Sequence, residues 1–149
     1  MLTIHAADEV RFTWDDPDPI KDGAVAVEGI RVAAVGPLAE VQEQFPGARV
    51  RRWPGVLGPG RIHEGPLPAA PSPRERVHAV LKLGAVAVIA EHADTPELRA
   101  AAERNDVVVL RRTQPTAIIP TGRADLAVFD ETGECIATVC AGRLVHRRR

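Results

Sequence analysis

The sequence predicts an α+β fold: β-structure at both ends of the chain and a small inserted α/β lobe between them. Two observations predict it. Apolar residues alternate with a period of two in the first and last thirds, and shift to helical spacing only between about residues 73 and 104. A Pro/Gly-rich stretch, 54–73, separates the first β-region from that helical middle. The expected division is a β-unit of 1–60 plus 116–149, an inserted lobe of 69–112, and a linker of 54–73. The 149 residues suit one ordinary domain, or one with a small lobe.

The first β-segment is expected from Leu2 to Ile4, with Val10-Arg11-Phe12 continuing it. Asp15-Asp16-Pro17-Asp18-Pro19 is an irregular turn. From Gly23 to Gly36 valines alternate with alanines around a Glu28-Gly29 turn, the pattern of a β-hairpin. Pro37 opens a short helix through about Gln44, and Phe45-Pro46-Gly47 ends it. Arg49 to Trp53 reads as another short strand. Residues 54–73 carry six prolines and four glycines and are expected to hold neither a helix nor a central strand.

Ser72-Pro73-Arg74-Glu75 fits a capping box, followed by Val77, Val80 and Leu81 on one helical face and Gly84 as the stop. Val86–Ile89 is an apolar run of the kind found in buried parallel strands. Thr95-Pro96-Glu97 caps a second helix with Leu98, Ala101 and Ala102 inward, and Val107–Leu110 is a second buried strand. Two parallel strands and two helices cannot bury both faces of their sheet alone. The lobe is therefore expected to pack on the β-unit or on another copy of the chain. A strand over Ala124–Phe129, a turn over 130–134 and a hairpin around Ala141-Gly142-Arg143 close the sequence.

Net charge is -1, and the one basic cluster is the tail Arg147-Arg148-Arg149, read as a solvated chain end. This balance gives no basic field for nucleic acid or an anionic membrane. No apolar run approaches the roughly 20 residues of a membrane helix, and the start lacks a secretory signal, so a cytoplasmic location is expected. Cys135 and Cys140 have odd spacing in a strand, which places them on opposite faces and speaks against a disulfide; both are expected to be small buried residues.

Several segments together resemble a known family. Gly23 to Pro37, Phe45-Pro46-Gly47-Ala48-Arg49-Val50, Gly122 to Asp130 and Val139 to Val145 resemble the opening and closing segments of amidohydrolases, in particular the imidazolonepropionase and aminodeoxyfutalosine deaminase group. The likeness covers about residues 1–60 and 119–146. It implies that the two chain ends pair into one composite β-sandwich, beside which the family carries a metal-bearing (β/α)8 barrel. Gly84–Ile89 resembles an early barrel strand, and Glu97–Leu110 the helix and strand after it. Only about ten residues separate Leu110 from the closing segment, whereas a full barrel needs roughly 200. Gly122-Arg123-Ala124-Asp125 is one residue shorter before Ala-Asp than many relatives.

The family's metal motif follows Pro-Gly with two apolar residues, a small polar residue, one further residue, and His-x-His. Aligned on Pro59-Gly60, its two ligand positions fall on Gly65 and Leu67, neither of which binds a metal. His63 lies close by but off register; His63 and Glu64 are a candidate acid/base pair or partial metal site, with the remnant of a lost site as the favoured explanation. Glu91, His92 and Asp94 follow a parallel strand and precede a helix, the end of an α/β unit where ligands bind. They are a candidate small-molecule site; caps and solvated loop residues are the competing explanation. His5, His78 and His146 show no ligand spacing. Asp125 is expected to make a turn hydrogen bond, and Trp14 and Trp53 to cover the β-unit.

No phosphate loop, serine-nucleophile motif, catalytic constellation or cofactor pattern stands out. The leading expectation is a non-catalytic amidohydrolase-like protein without cofactor or metal, acting through a homodimer, a protein partner or a small molecule. The alternative is a metal-dependent hydrolase of non-peptide carbon–nitrogen bonds, with ligands completed by another subunit or by His63, Glu91 and His92. A third is a decayed duplicate.

Overall fold

The computed structural model describes residues 2–148. The first and last residues of the sequence, including Arg149 of the basic tail, lie outside the described residues. The fold is α+β, a composite sandwich built from both ends of the chain with the helical lobe laid against it. Strands β1 (Leu2–Val10), β2 (Ile20–Glu28), β3 (Arg31–Pro37) and β4 (Arg49–Pro59) come from the N-terminal part. Strands β8 (Leu126–Phe129), β9 (Cys135–Cys140) and β10 (Arg143–Arg147) come from the C-terminal part. They form one sheet in the order β10-β9-β8-β4-β1-β2-β3.

This sheet folds over on itself. Val25, Val27, Val32 and Leu57 of one half share a core with Leu126, Val128, Ile136 and Val139 of the other. The free edge of β3 is stitched to the segment before β8 by Val32 N–H to Gly122 O (2.9 Å), Thr121 N–H to Val32 O (2.9 Å) and Ala124 N–H to Ile30 O (2.7 Å). Two turns meet closely at this seam. A Cβ on Gly142 would stand 1.9 Å from Gly29 O, and its φ of +81° already favours glycine.

The alternation read in β2 has two uses. Its valines enter the sandwich core, while Ala24 and Ala26 face helix α1 (Leu38–Gln44), which buries Val41 against them and against Ile4 and Ala6. Alanines keep that face shallow, so a short helix can approach.

The 54–73 stretch departs from expectation. Its first residues complete β4, which is a central strand, and Arg61–His63 forms a further strand, β5. The reason is a β-bulge. The β1–β4 register passes from Ala7↔Trp53 to Glu9↔Val56, so Pro54 and Gly55 together oppose Asp8. Pro54 sits where the ladder is interrupted anyway. Gly55 has φ +99°, donates its N–H to Asp8 Oδ2 at 2.8 Å, and has no room for a Cβ, which would lie 2.2 Å from Phe129 O. Gly58 lets the Trp14 ring lie on the strand, and Trp14 Nε1–H donates to Pro59 O at 2.8 Å.

The lobe contains α2 (Pro73–Lys82), β6 (Ala85–Ile89), α3 (Pro96–Arg104) and β7 (Val108–Leu110). With β5 it makes a parallel three-stranded sheet ordered β5-β6-β7, one strand more than the sequence reading had. Both hydroxyl caps form, and Glu75 reaches back to the Ser72 hydroxyl (3.1 Å) and not to the backbone N–H of a full capping box. Ser72 Oγ accepts from Glu75 N–H and Thr95 Oγ1 from Leu98 N–H. Val77, Val80, Leu81, Leu98, Ala101 and Ala102 are buried between helices and sheet.

The lobe docks on the outer face of β8 and β9. Thr138, fully buried, donates its hydroxyl to Leu81 O at the end of α2 (2.7 Å). Cys135 and Cys140 are buried and free, but they do not lie on opposite faces. The β8–β9 register passes from Val128↔Ala137 to Phe129↔Cys135, which bulges out Ile136 and reverses the phase. Cys135 Sγ therefore stands 3.3 Å from Thr138 Oγ1, and Cys140, two residues further, joins the lobe's core. The basic tail is also more than a solvated end. Arg147 lies over the Trp53 ring and Arg148 pairs with Asp130 and Glu134.

Candidate functional site

The three parallel strands of the lobe run side by side, so their C-terminal ends define one edge. His63 ends β5 and Glu64 follows it; Glu91, His92 and Asp94 follow β6; Arg111 and Arg112 follow β7. Ligands of parallel α/β sheets bind at such an edge. The geometry around each residue is modest. His63, half-buried, has Nε2 2.9 Å from Pro66 O, and Glu64 is exposed. Glu91 and His92 sit in one 3-10 turn, exposed and half-buried respectively. Asp94 is exposed and Thr95, not Asp94, caps α3. The loop is held by Arg99, whose Nε–H donates to Ala93 O at 2.8 Å.

Among the described residues, no three His, Cys, Asp or Glu side chains stand together as a metal site would require. Within the segment after β5, one residue is instead packed as core. Leu67 is 4 % exposed and belongs to the apolar cluster of the lobe, while Arg76 fastens it from α2 through Leu67 O (3.1 Å) and Pro68 O (3.2 Å).

A second feature was not legible in the sequence. The segment 111–120 crosses the face of the sheet opposite the helices and leaves a cavity of about 210 Å³, lined by Ile62, Ala87, Val108, Leu110 and Ile119. The strap is fixed at Ile118, which is buried in the sandwich core and donates its N–H to Phe12 O at 2.8 Å. Arg123 and Asp125 stand at the cavity's base, with Arg123 Nε 2.9 Å from Asp125 Oδ1. Arg123 also donates to Asp106 O and lies 3.2 Å from Cys140 Sγ. Burial works against the Arg123 charge, yet Asp125 and Cys140 outweigh it and hold the guanidinium above its ordinary range. Burial pushes the Cys140 thiol up to about 11 despite that neighbour, so it is no nucleophile near neutral pH. Asp125 also accepts Ala141 N–H at 2.9 Å, the turn hydrogen bond expected of it.

Elsewhere, His5 is buried beneath Trp53, whose Nε1–H donates to His5 Nδ1 at 3.2 Å. Burial, assisted by the Arg51 charge, lowers its pKa to about 4. No helix among the described residues is long and apolar enough to cross a membrane.

Comparison with known proteins agrees with this architecture. The chain resembles, at 16 % identity, the Helicobacter pylori aminofutalosine deaminase structure (TM-score 0.53, 73 % of this chain and 32 % of that one). It likewise resembles guanine deaminase from Bradyrhizobium japonicum (16 % identity, TM-score 0.55, 73 % and 34 %). A third is an adenosine deaminase from Xanthomonas campestris with bound zinc (16 % identity, TM-score 0.50, 80 % and 36 %). The chain thus spans about a third of the length of these solved relatives. No curated protein sequence matches it significantly. Fold and matches together define an amidohydrolase-like composite domain. More narrowly, residues 23–48, from β2 through α1, match the family model described as an imidazolonepropionase-like composite domain of bacteria.

Proposed function

We propose that this chain is a non-catalytic amidohydrolase-like domain that acts by associating with another polypeptide. The observation that carries the reading is Leu67. By the resemblance, Gly65 and Leu67 occupy the positions of the two metal-binding histidines. Leu67 is buried in an apolar cluster, which offers no donor atom and would exclude a hydrated ion. Gly65 and Leu67 do not fit a metal ion.

The test is metal analysis of the purified full chain together with assay against cyclic amide and aminopurine substrates. Zinc well below one ion per chain and no turnover are expected. His63→Ala and His92→Ala, singly and together, should leave the thermal midpoint and any association unchanged. Stoichiometric zinc, or an activity lost in either variant, would overturn the reading.

A second reading is a metal-dependent hydrolase of non-peptide carbon–nitrogen bonds whose ligand set is completed by another subunit. It is favoured by the position of His63, Glu64, Glu91 and His92 at the C-terminal edge of the parallel sheet. Metal bound only by an oligomer would support it.

A further inference from the structure

The parallel sheet of the lobe ends abruptly at β7. Such sheets are normally covered on both faces and continued or protected at their edges. Strand β7 has no Pro, Lys or bulge, and no backbone hydrogen bond from another segment reaches its outer edge among the described residues. Apolar exposure collects beside it. Val108 is 36 % exposed and Ile119, across the cavity, 60 %, two of the four large hydrophobic residues exposed among the described residues. Immediately beyond β7, Arg111 and Arg112 are exposed and have no carboxylate within ion-pair distance among the described residues. Two residues before it, Asp106 is exposed; its carbonyl accepts from Arg123, and its carboxylate is paired with the exposed Arg143 (2.8 Å).

We infer that β7 is the dimer seam of this protein, pairing antiparallel with β7 of a second copy about a two-fold axis at Val109. The inference rests on the reading of the chain as an association module and names its partner. The charge pattern selects the second copy. In this register Val108 lies opposite Leu110 of the other chain, and Asp106 opposite Arg112, each pair occurring twice. Acid before the strand and base after it is self-complementary only when the strands run antiparallel. A parallel pairing would set like charges level and would not close. The product is a continuous six-stranded sheet in which the apolar edge is no longer bare. A three-residue strand provides few hydrogen bonds, so the association is expected to be concentration-dependent.

Sedimentation equilibrium of the full chain tests this. The mass should rise from the 16.0 kDa of one chain toward twice that value as concentration approaches about 100 μM, a range that captures weak dimers. Arg112→Glu should weaken the dimer by about tenfold or more through like-charge contact, and Val108→Lys should abolish it. Both side chains are exposed, so both variants should keep the wild-type circular dichroism. As a measurement free of substitutions, amide protection at 108–110 should increase with concentration. A monomer across the whole range, or a dimer indifferent to both substitutions, overturns the seam. Either result leaves the metal analysis to judge the non-catalytic reading separately.

Discussion

His5 shows how one side chain can tie stability to pH. The imidazole is 3 % exposed and accepts the Trp53 N–H, so its neutral form is the one the fold accommodates. Its pKa is about 4 in the folded chain against 6.5 as a free group. Above 6.5 neither state carries the proton. As pH falls below 6.5 the unfolded chain binds it and the folded chain does not, so stability is lost until about pH 4, where both are protonated. The shift corresponds to roughly 3 kcal/mol at most. Urea unfolding followed by Trp fluorescence should show the midpoint falling between pH 7 and 5, a window above the carboxylates. His5→Gln, which keeps an acceptor for Trp53, should flatten that slope; an unchanged slope would locate the titration elsewhere. Asp130 acts in more acidic solution. Thr132, Glu134 and Arg148 hold its carboxyl at about 2, with stability present above its ordinary range and lost as pH falls toward that value.

At the scale of elements, α2 and α3 begin in the same way, with a hydroxyl cap, a proline in the first turn and an acidic residue behind it. Each cap answers an N–H that the helix cannot pair internally. Ser72→Ala should cost about 1 kcal/mol, read as a lower urea midpoint with unchanged m-value, and Ser72→Asp should recover most of it. Such local chemistry was legible because it depends on neighbours in sequence. Strand β4 was not, because Pro54 and Gly55 are breakers in isolation. They are tolerated only because Asp8 receives the Gly55 N–H and Phe129 packs where a side chain would stand. Cys135 and Cys140 teach the same point, since a bulge opposite β8 cancelled the phase that their spacing implied.

For the molecule as a whole, the governing contact is the one between lobe and sandwich. The lobe cannot cover its own helices and sheet, and it answers this by burying Cys140 and Thr138 from the sandwich. Thr138→Val should destabilise by about 1–2 kcal/mol, at the lower end because Leu81 O keeps the Gly84 N–H. Calorimetry should still show a single transition; two separated transitions would mean that the lobe and sandwich fold independently. The same shortage of cover explains the bare edge at β7. The sandwich closes its own edge through 121–124, while the lobe has only the strap to shield one face.

The residue pattern was enough to give the α+β class, the β2–β3 hairpin, both capped helices and the inward residues of each. All of these follow from periodicity, capping and side-chain chemistry within a few residues. Long-range contacts settled that β4 is central, that β5 joins the lobe and that both thiols face it. Those outcomes depend on register and on groups far apart in the chain, where one bulge or one distant acceptor reverses what local pattern implies.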